Sequence, residues 1–317
     1  MSILSRLFTP PRPSVALEIA ARHVSALRLG GGASPSIDAH AVEPLPAGAV
    51  AAALASSNIV DPAAVTAALV RALAHVGGAR HVALVVPDAV AKVSLVRFDQ
   101  VPPKAGDLDA MLRWNIRKGL PFKTEDAQVT YAEGVPLEGG GREFVVAAAR
   151  RDLIAEYEGV CAAAGVHAGV VDLATFNLVN LQLASSSGSG DWLLVHLAPD
   201  YITIAIVRDG TVIFFRHRGA EGDESLADLV HQTAMYYEDR LSGRGFGRVL
   251  VAGATTGPDG AAGAEGLRRV LEERLGARVE TVDPRGVATL ADRIVASPDL
   301  LDRLAPLVGI LVREPAA

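Results

Sequence analysis

The chain has 317 residues, half of them hydrophobic and 21% charged, which is enough apolar material for two lobes and excludes a disordered polymer. Lys and Arg number 30 against 36 Asp and Glu; the net charge of −6, without a basic block, removes the electrostatic basis of a nucleic-acid binder. Cys161 is the one cysteine, so an intrachain disulfide and a thiolate-rich zinc site are excluded and a reducing, cytoplasmic setting is expected.

Residues 1–14 read as an N-terminal tail without an apolar run long enough for a signal peptide or a spanning helix. Ile3, Leu4, Leu7 and Phe8 suit either a frayed spacer or a short docking foot before the Pro10-Pro11-Arg12-Pro13 break. Residues 15–19 and 24–29 form a predicted hairpin closing at Gly30-Gly31-Gly32, and 37–42 a third strand. Asp61-Pro62 opens a helix with Val65, Leu69, Leu73 and Val76 on one face, stopped by Gly77-Gly78, and 81–86 is a buried strand. This is the start of a first lobe, 15–87.

The pattern then changes. Residues 91–98 alternate as a strand, Pro102-Pro103 break it, and Leu108, Met111, Leu112, Asn115 and Ile116 recur at helical spacing up to Gly119. Strands at 127–133 and 143–148 join through Gly139-Gly140-Gly141, and a helix over 152–164 ends at Gly165. Residues 88–168 thus read as a small α+β subdomain inserted into the first lobe, which resumes over 169–184 with a helix at 175–183. A Ser/Gly-rich linker, 185–190, precedes a second lobe, 191–317. There, strands at 192–197, 201–208 and 211–218, with Asp209-Gly210 as a hairpin turn, lead into a helix at 224–241. A strand at 249–252 and helices at 264–275 and 305–312 follow. Strand-strand-strand-helix-strand occurs once per half. The fold class expected is therefore α/β, the actin-like (ribonuclease H-like) two-lobed fold around a nucleotide cleft.

Several short stretches carry a more specific likeness. Arg113-Trp114-Asn115 with Leu120-Pro121-Phe122 resembles the R-W-E…I-P-F signature of the PilM family, actin-like proteins of type IV pilus assembly related to the division protein FtsA. The run from Val82 to Pro87, residues 145–154, Ala163-Ala164-Gly165-Val166 and Val171-Asp172-Leu173 match in order along nearly the whole chain. The resemblance implies a cytoplasmic protein, peripheral to the inner membrane, that binds the cytoplasmic tail of the single-span protein PilN in a groove beside the inserted subdomain. It also implies contact with the pilus motor ATPases. Two other readings stand beside it: an ATP-binding switch or slow ATPase, and the cytoplasmic domain of a type II secretion platform protein, which carries a spanning helix not seen here.

The same resemblance implies where ATP and Mg²⁺ would bind, and this sequence departs from it at each place. The first phosphate turn should read D-x-G-(S/T); here Glu18-Ile19-Ala20-Ala21 keeps an acid but adds a Cβ and lacks the hydroxyl. Arg22 next to it suits phosphate or solvent. The second turn should read D-x-G; His196-Leu197-Ala198 loses the oxygen ligand that magnesium prefers. A His there is more often a hydrogen-bonded structural residue than a ligand. Ala252-Gly253-Ala254-Thr255 keeps one glycine of the adenosine loop, and 219–250 is too short for the lid subdomain of about 50 residues found in nucleotide-binding members. Neither a catalytic residue, nor a metal, nor a cofactor is expected.

Gly30-Gly31-Gly32 and the glycines of 257–266 lack the G-K-(S/T) of a P-loop. Cys161, on an apolar helix, reads as a buried structural thiol, and His217 between Arg216 and Arg218 as a solvated basic strand end. For the partner surface, Arg113, Trp114, Arg117, Lys118, Pro121 and Phe122 are the candidates, with the two aromatics as anchors. The alternative is that Trp114 and Phe122 pack the subdomain's own core and Arg117-Lys118 form a solvated face.

Overall fold

β1 (Val15–Ile19) is buried at every position and β9 (Trp192–Leu197) at all but its last. Continuous burial requires cover on both faces, and each strand lies inside its own sheet. The computed structural model describes residues 13–31, 34–185, 190–219, 225–256, 260–292 and 294–313. Most of the expected N-terminal tail and linker residues 186–189 lie outside these.

β2 (His23–Gly30) and β3 (Ser36–Pro44) extend β1 as an antiparallel meander. α1 (Pro62–His75) carries the chain to β4 (His81–Val86), parallel to β1. Asp61 caps α1 by accepting the Ala64 N–H, and Pro62 occupies the first turn, where its missing N–H costs nothing. In the second half, β10 (Tyr201–Arg208) and β11 (Thr211–Gly219) extend β9; α5 (Leu226–Arg240) leads to β12 (Arg248–Ala252), parallel to β9. Asp209 and Gly210 both have positive φ, the geometry of a two-residue hairpin turn.

β8 (His167–Leu173) and β13 (Val279–Thr281) complete the two sheets in equivalent places. The strand orders β3-β2-β1-β4-β8 and β11-β10-β9-β12-β13 are identical, so the duplicated pattern is a duplicated topology. β14 (Thr289–Leu290), a two-residue strand without sequence signal, adds to the outer edge of β3.

The insertion is a three-stranded sheet, β5-β7-β6, of β5 (Ala91–Phe98), β6 (Ala127–Pro136) and β7 (Arg142–Arg150), covered on one face by α2 (Ala105–Ile116). The following helix, α3 (Arg151–Ala163), buries Tyr157, Val160 and Cys161 in the core of the first lobe. By packing, the insertion therefore ends at β7 and not at 168. A helix-then-strand pattern follows β4 and β12 alike, but only in three dimensions is α3 seen as the counterpart of α6 (Gly260–Leu275).

Two helices lie between the lobes. α4 (Ala174–Ala184) and α7 (Pro298–Val312) run against each other. They share one apolar cluster with Leu17 and Leu84 of the first sheet and Leu194, Ala205, Val207 and Leu250 of the second. The opposite face of the second sheet (Leu193, Val195, Ile204, Ile206, Val249) packs with α5 and α6. α7 starts seven residues before the expected 305, because Ser297 caps it by accepting the Leu300 N–H and Pro298 opens it. Pro306 inside the helix obscures that start in the sequence.

Where α4 and α7 cross, a Cβ on Gly309 would overlap the Asn177 carbonyl. Gly309→Ala is expected to lower stability by about 1–3 kcal/mol, read from urea denaturation. An unchanged midpoint would mean the helices do not meet there.

Candidate functional site: a closed cleft and an open groove

The carboxyl ends of the parallel strands β1, β4, β8, β9 and β12 converge between the lobes, where open α/β sheets place their sites. Glu18 is nearly buried at the end of β1, 3.7 Å from His23 Nε2, and Ala20 and Ala21 form the turn, closed by the Ala20 N–H to the His23 carbonyl. Arg303 of α7 donates to His23 Nδ1 at 3.2 Å. Arg22 is exposed.

Facing that turn, His196 and Ala198 sit at the end of β9, and the Ala198 N–H reaches the Tyr201 carbonyl at 2.9 Å. His196 is held by two residues of the first lobe. Asp88, fully buried just after β4, accepts the Thr175 N–H at 3.0 Å and the Thr175 hydroxyl. That hydroxyl has spent its proton on Asp88, so it accepts from His196 Nδ1 at 2.8 Å, which assigns the proton to Nδ1. The same nitrogen lies 3.4 Å from Asp88. Burial alone would push the Asp88 carboxyl up; the His196 hydrogen bond and charge, with the two Thr175 bonds, outweigh it and hold the carboxyl below its ordinary value.

The third loop is closed as well. Asp302 of α7 accepts the Gly253 N–H at 2.8 Å, the Thr255 N–H at 3.0 Å and the Thr255 hydroxyl at 2.6 Å. Gly253 has φ +77° and lies so close to β9 that a Cβ would overlap the Leu197 carbonyl. The loop after β12 thus touches the turn after β9. What remains between the three loops is a cavity of about 50 Å³. A water molecule needs about 10–15 Å³ of such space and small-molecule sites about 300 Å³ or more.

Tyr201 stacks edge-on to His196 at 5.5 Å and lies 5.1 Å from His217. His217 is therefore not a solvated strand end: β11 folds it over Tyr201, and burial lowers its pKa. Asp88, Thr175, Tyr201, Asp302 and Arg303 were not singled out from the sequence. Asp88 had a signal, an acid directly after a buried strand; Asp302 had none once its helix was read too short.

The larger opening lies elsewhere. About 800 Å³ separates the insertion from the first lobe. Along β7, Phe144, Val146 and Ala148 point to α2, and Val145, Ala147 and Ala149 point to the groove. The small alanines leave the space. The opposite wall is β8 with Ile154 of α3, Phe176 and Leu183 of α4, and the hairpin tip at Gly210. Tyr131 and Leu183, both partly exposed, line it. β6 and β8 are edge strands of their sheets.

None of the six candidate partner residues lines this groove; they lie on the α2 side of the insertion. Phe122 packs on the subdomain core, whereas Trp114 is 64% exposed with the Arg117 guanidinium 5.2 Å over its ring. Arg113 pairs with Asp109 at 2.7 Å; Lys118 and Pro121 are exposed. Cys161 is buried, and burial pushes its thiol up to about 12. Among the described residues no His, Cys, Asp and Glu cluster suits a metal, and no helix is long and apolar enough to cross a membrane.

Duplicated sheets with an insertion after the fourth strand define an actin-like protein. Residues 17–244 match the type IV pilus assembly protein PilM family, and the chain belongs to it. Its structure is similar to that of a PilM-PilN type IV pilus biogenesis complex (TM-score 0.78, 17% identity, covering 95% of this chain and 97% of that one). It is also similar to a Bacteroides thetaiotaomicron protein of actin-like ATPase fold and unknown function (0.53, 9%, 99% and 100%). A third likeness is to the ethanolamine utilization protein EutJ of Carboxydothermus hydrogenoformans (0.50, 12%, 96% and 91%).

Because the Asp88 pKa is lowered on folding, its stabilisation is complete above about pH 4 and is lost as pH falls through the native value. Asp88→Asn should cost about 1–3 kcal/mol at neutral pH, with the gap to wild type narrowing below about pH 4 in urea unfolding. A constant gap from neutral to acid pH would show that the carboxylate charge does not hold the joint. Cys161 should react with a thiol reagent only after denaturant is added, and rapid labelling of the native chain would contradict its burial.

Proposed function

We propose that this chain is a non-catalytic cytoplasmic scaffold of a type IV pilus inner-membrane platform, seating the cytoplasmic tail of a PilN-like membrane protein in the groove between the insertion and the first lobe. The observation that carries this reading is the groove itself: about 800 Å³, floored by alanine and valine, between two edge strands. An extended peptide gains backbone hydrogen bonds from an edge strand and specificity from pockets for alternate side chains. The chain then reaches the membrane through its partner. The exposed Trp114–Arg117 pair remains available on the other side of the insertion for a further partner, such as a motor ATPase.

The pseudo-ATPase part of the reading is supported by the cleft. Ala20 and Ala198 occupy turns where phosphate needs close backbone approach, and Asp302 takes up the N–H groups of Gly253 and Thr255. His196 stands where a magnesium ligand is needed, and it serves Asp88 instead. Restoring an acid at 196 would set two carboxylates side by side.

Calorimetry on the purified chain separates the possibilities. Expected is micromolar binding of a synthetic peptide of the PilN cytoplasmic tail, lost in Ala147→Trp, which fills the groove, with no heat from Mg-ATP. Micromolar Mg-ATP binding would overturn the scaffold reading in favour of a nucleotide-gated switch. Tail binding unaffected by Ala147→Trp would move the seat away from the groove.

A further inference from the structure

We propose that the groove selects a positively charged side chain in its occupant through two carboxylates, Glu158 and Asp172, and that Arg313 occupies Asp172 until the occupant replaces it. This rests on the reading of the groove as the seat of a membrane protein's cytoplasmic tail.

Five charged side chains line the groove: Glu133, Arg151, Glu158, Asp172 and Arg313. Two are committed to the insertion. Glu133 is paired with Arg142, and Arg151 donates to the Ala127 carbonyl at 2.8 Å. Glu158, on α3, is exposed and makes no hydrogen bond or ion pair among the described residues. Asp172, at the end of β8, is half-buried, its side chain 19% exposed. One of its oxygens accepts the Leu173 N–H at 2.8 Å, and the other receives a single contact, 3.2 Å, from Arg313 at the end of α7.

That contact is a weak one for an arginine. A guanidinium matched to a carboxylate forms two parallel bonds, and this pair forms one, with the Arg313 side chain 34% exposed. Burial pushes the Asp172 carboxyl up, and the Leu173 N–H and Arg313 do not bring it back to its ordinary value. The carboxylate is therefore under-compensated, and a second cation placed in the groove gains more there than in water. An incoming lysine or arginine exchanges with a solvent-accessible guanidinium, so Arg313 leaves Asp172 without itself being buried unpaired.

The occupant's charge follows from a general rule. Cytoplasmic segments flanking a spanning helix carry an excess of Lys and Arg. An apolar groove with one free and one loosely held carboxylate complements such a segment. An acidic or neutral peptide of the same shape would leave Glu158 without a cation and Asp172 with its single Arg313 contact.

The test is fluorescence anisotropy on the full chain with a synthetic peptide of the PilN cytoplasmic tail, and with analogues in which its Arg and Lys become Gln or Glu. Expected is a loss of about tenfold for the Gln analogue and a larger one for the Glu analogue, with native-peptide affinity falling as salt rises. Glu158→Gln, at an exposed position, should weaken the native peptide several-fold and leave the Gln analogue unchanged. Arg313→Gln should do the opposite and tighten the native peptide, an outcome a merely structural ion pair does not produce. Equal binding of native and Gln peptides, or an unchanged affinity in Glu158→Gln and Asp172→Asn alike, overturns the selection. Failure of the wild type to bind any of the peptides would instead overturn the groove as a tail site.

Discussion

The two helices between the lobes are the constraint on which the rest depends. α4 and α7 lie between the two sheets with most of their residues buried. A buried polar group on them must find a partner inside the protein or be lost at a cost of several kcal/mol for a charge. Thr175, Asp302 and Arg303 lie on these helices, and all three reach the loops at the strand ends. The cleft is thus closed from the middle by the layer that joins the lobes.

This arrangement joins the lobes through the loops at the strand ends. Here Asp302 consumes the N–H groups of Gly253 and Thr255, and the Asp88–Thr175–His196 cluster ties the first lobe to the second across the same gap. The joint is directional and buried, conditions under which charge-assisted bonds are strong and an unpaired member is costly. The larger open volume lies at the boundary of the insertion, lined by strand edges and small side chains.

One short junction connects the two regions. Asp172 ends β8 facing the groove, and Thr175 begins α4 facing the cleft, only three positions later. α7 repeats the connection, with Asp302 and Arg303 at the cleft and Arg313 at the groove. Groove and cleft are therefore built on the same two helices.

Most of the fold is legible from residue order because its signals are local. Alternation at 201–208, the Asp209-Gly210 turn, the Asp61-Pro62 cap and the recurrence of strand-strand-strand-helix-strand each depend on neighbours a few residues apart. The departures at Ala20, His196 and Ala198 are equally plain in the sequence. Tertiary structure alone assigned α3 to the first lobe and drew β13 and β14 into the sheets. It also decided that His196 answers to Asp88, that Asp302 caps Gly253 and that the Trp114 surface and the groove lie on opposite faces of the insertion. Those facts rest on contacts such as Gly253 with Asp302, 49 positions apart, and Asp88 with His196, for which no spacing rule exists. Local pattern fixes which face of an element is apolar, and only packing decides what that face meets.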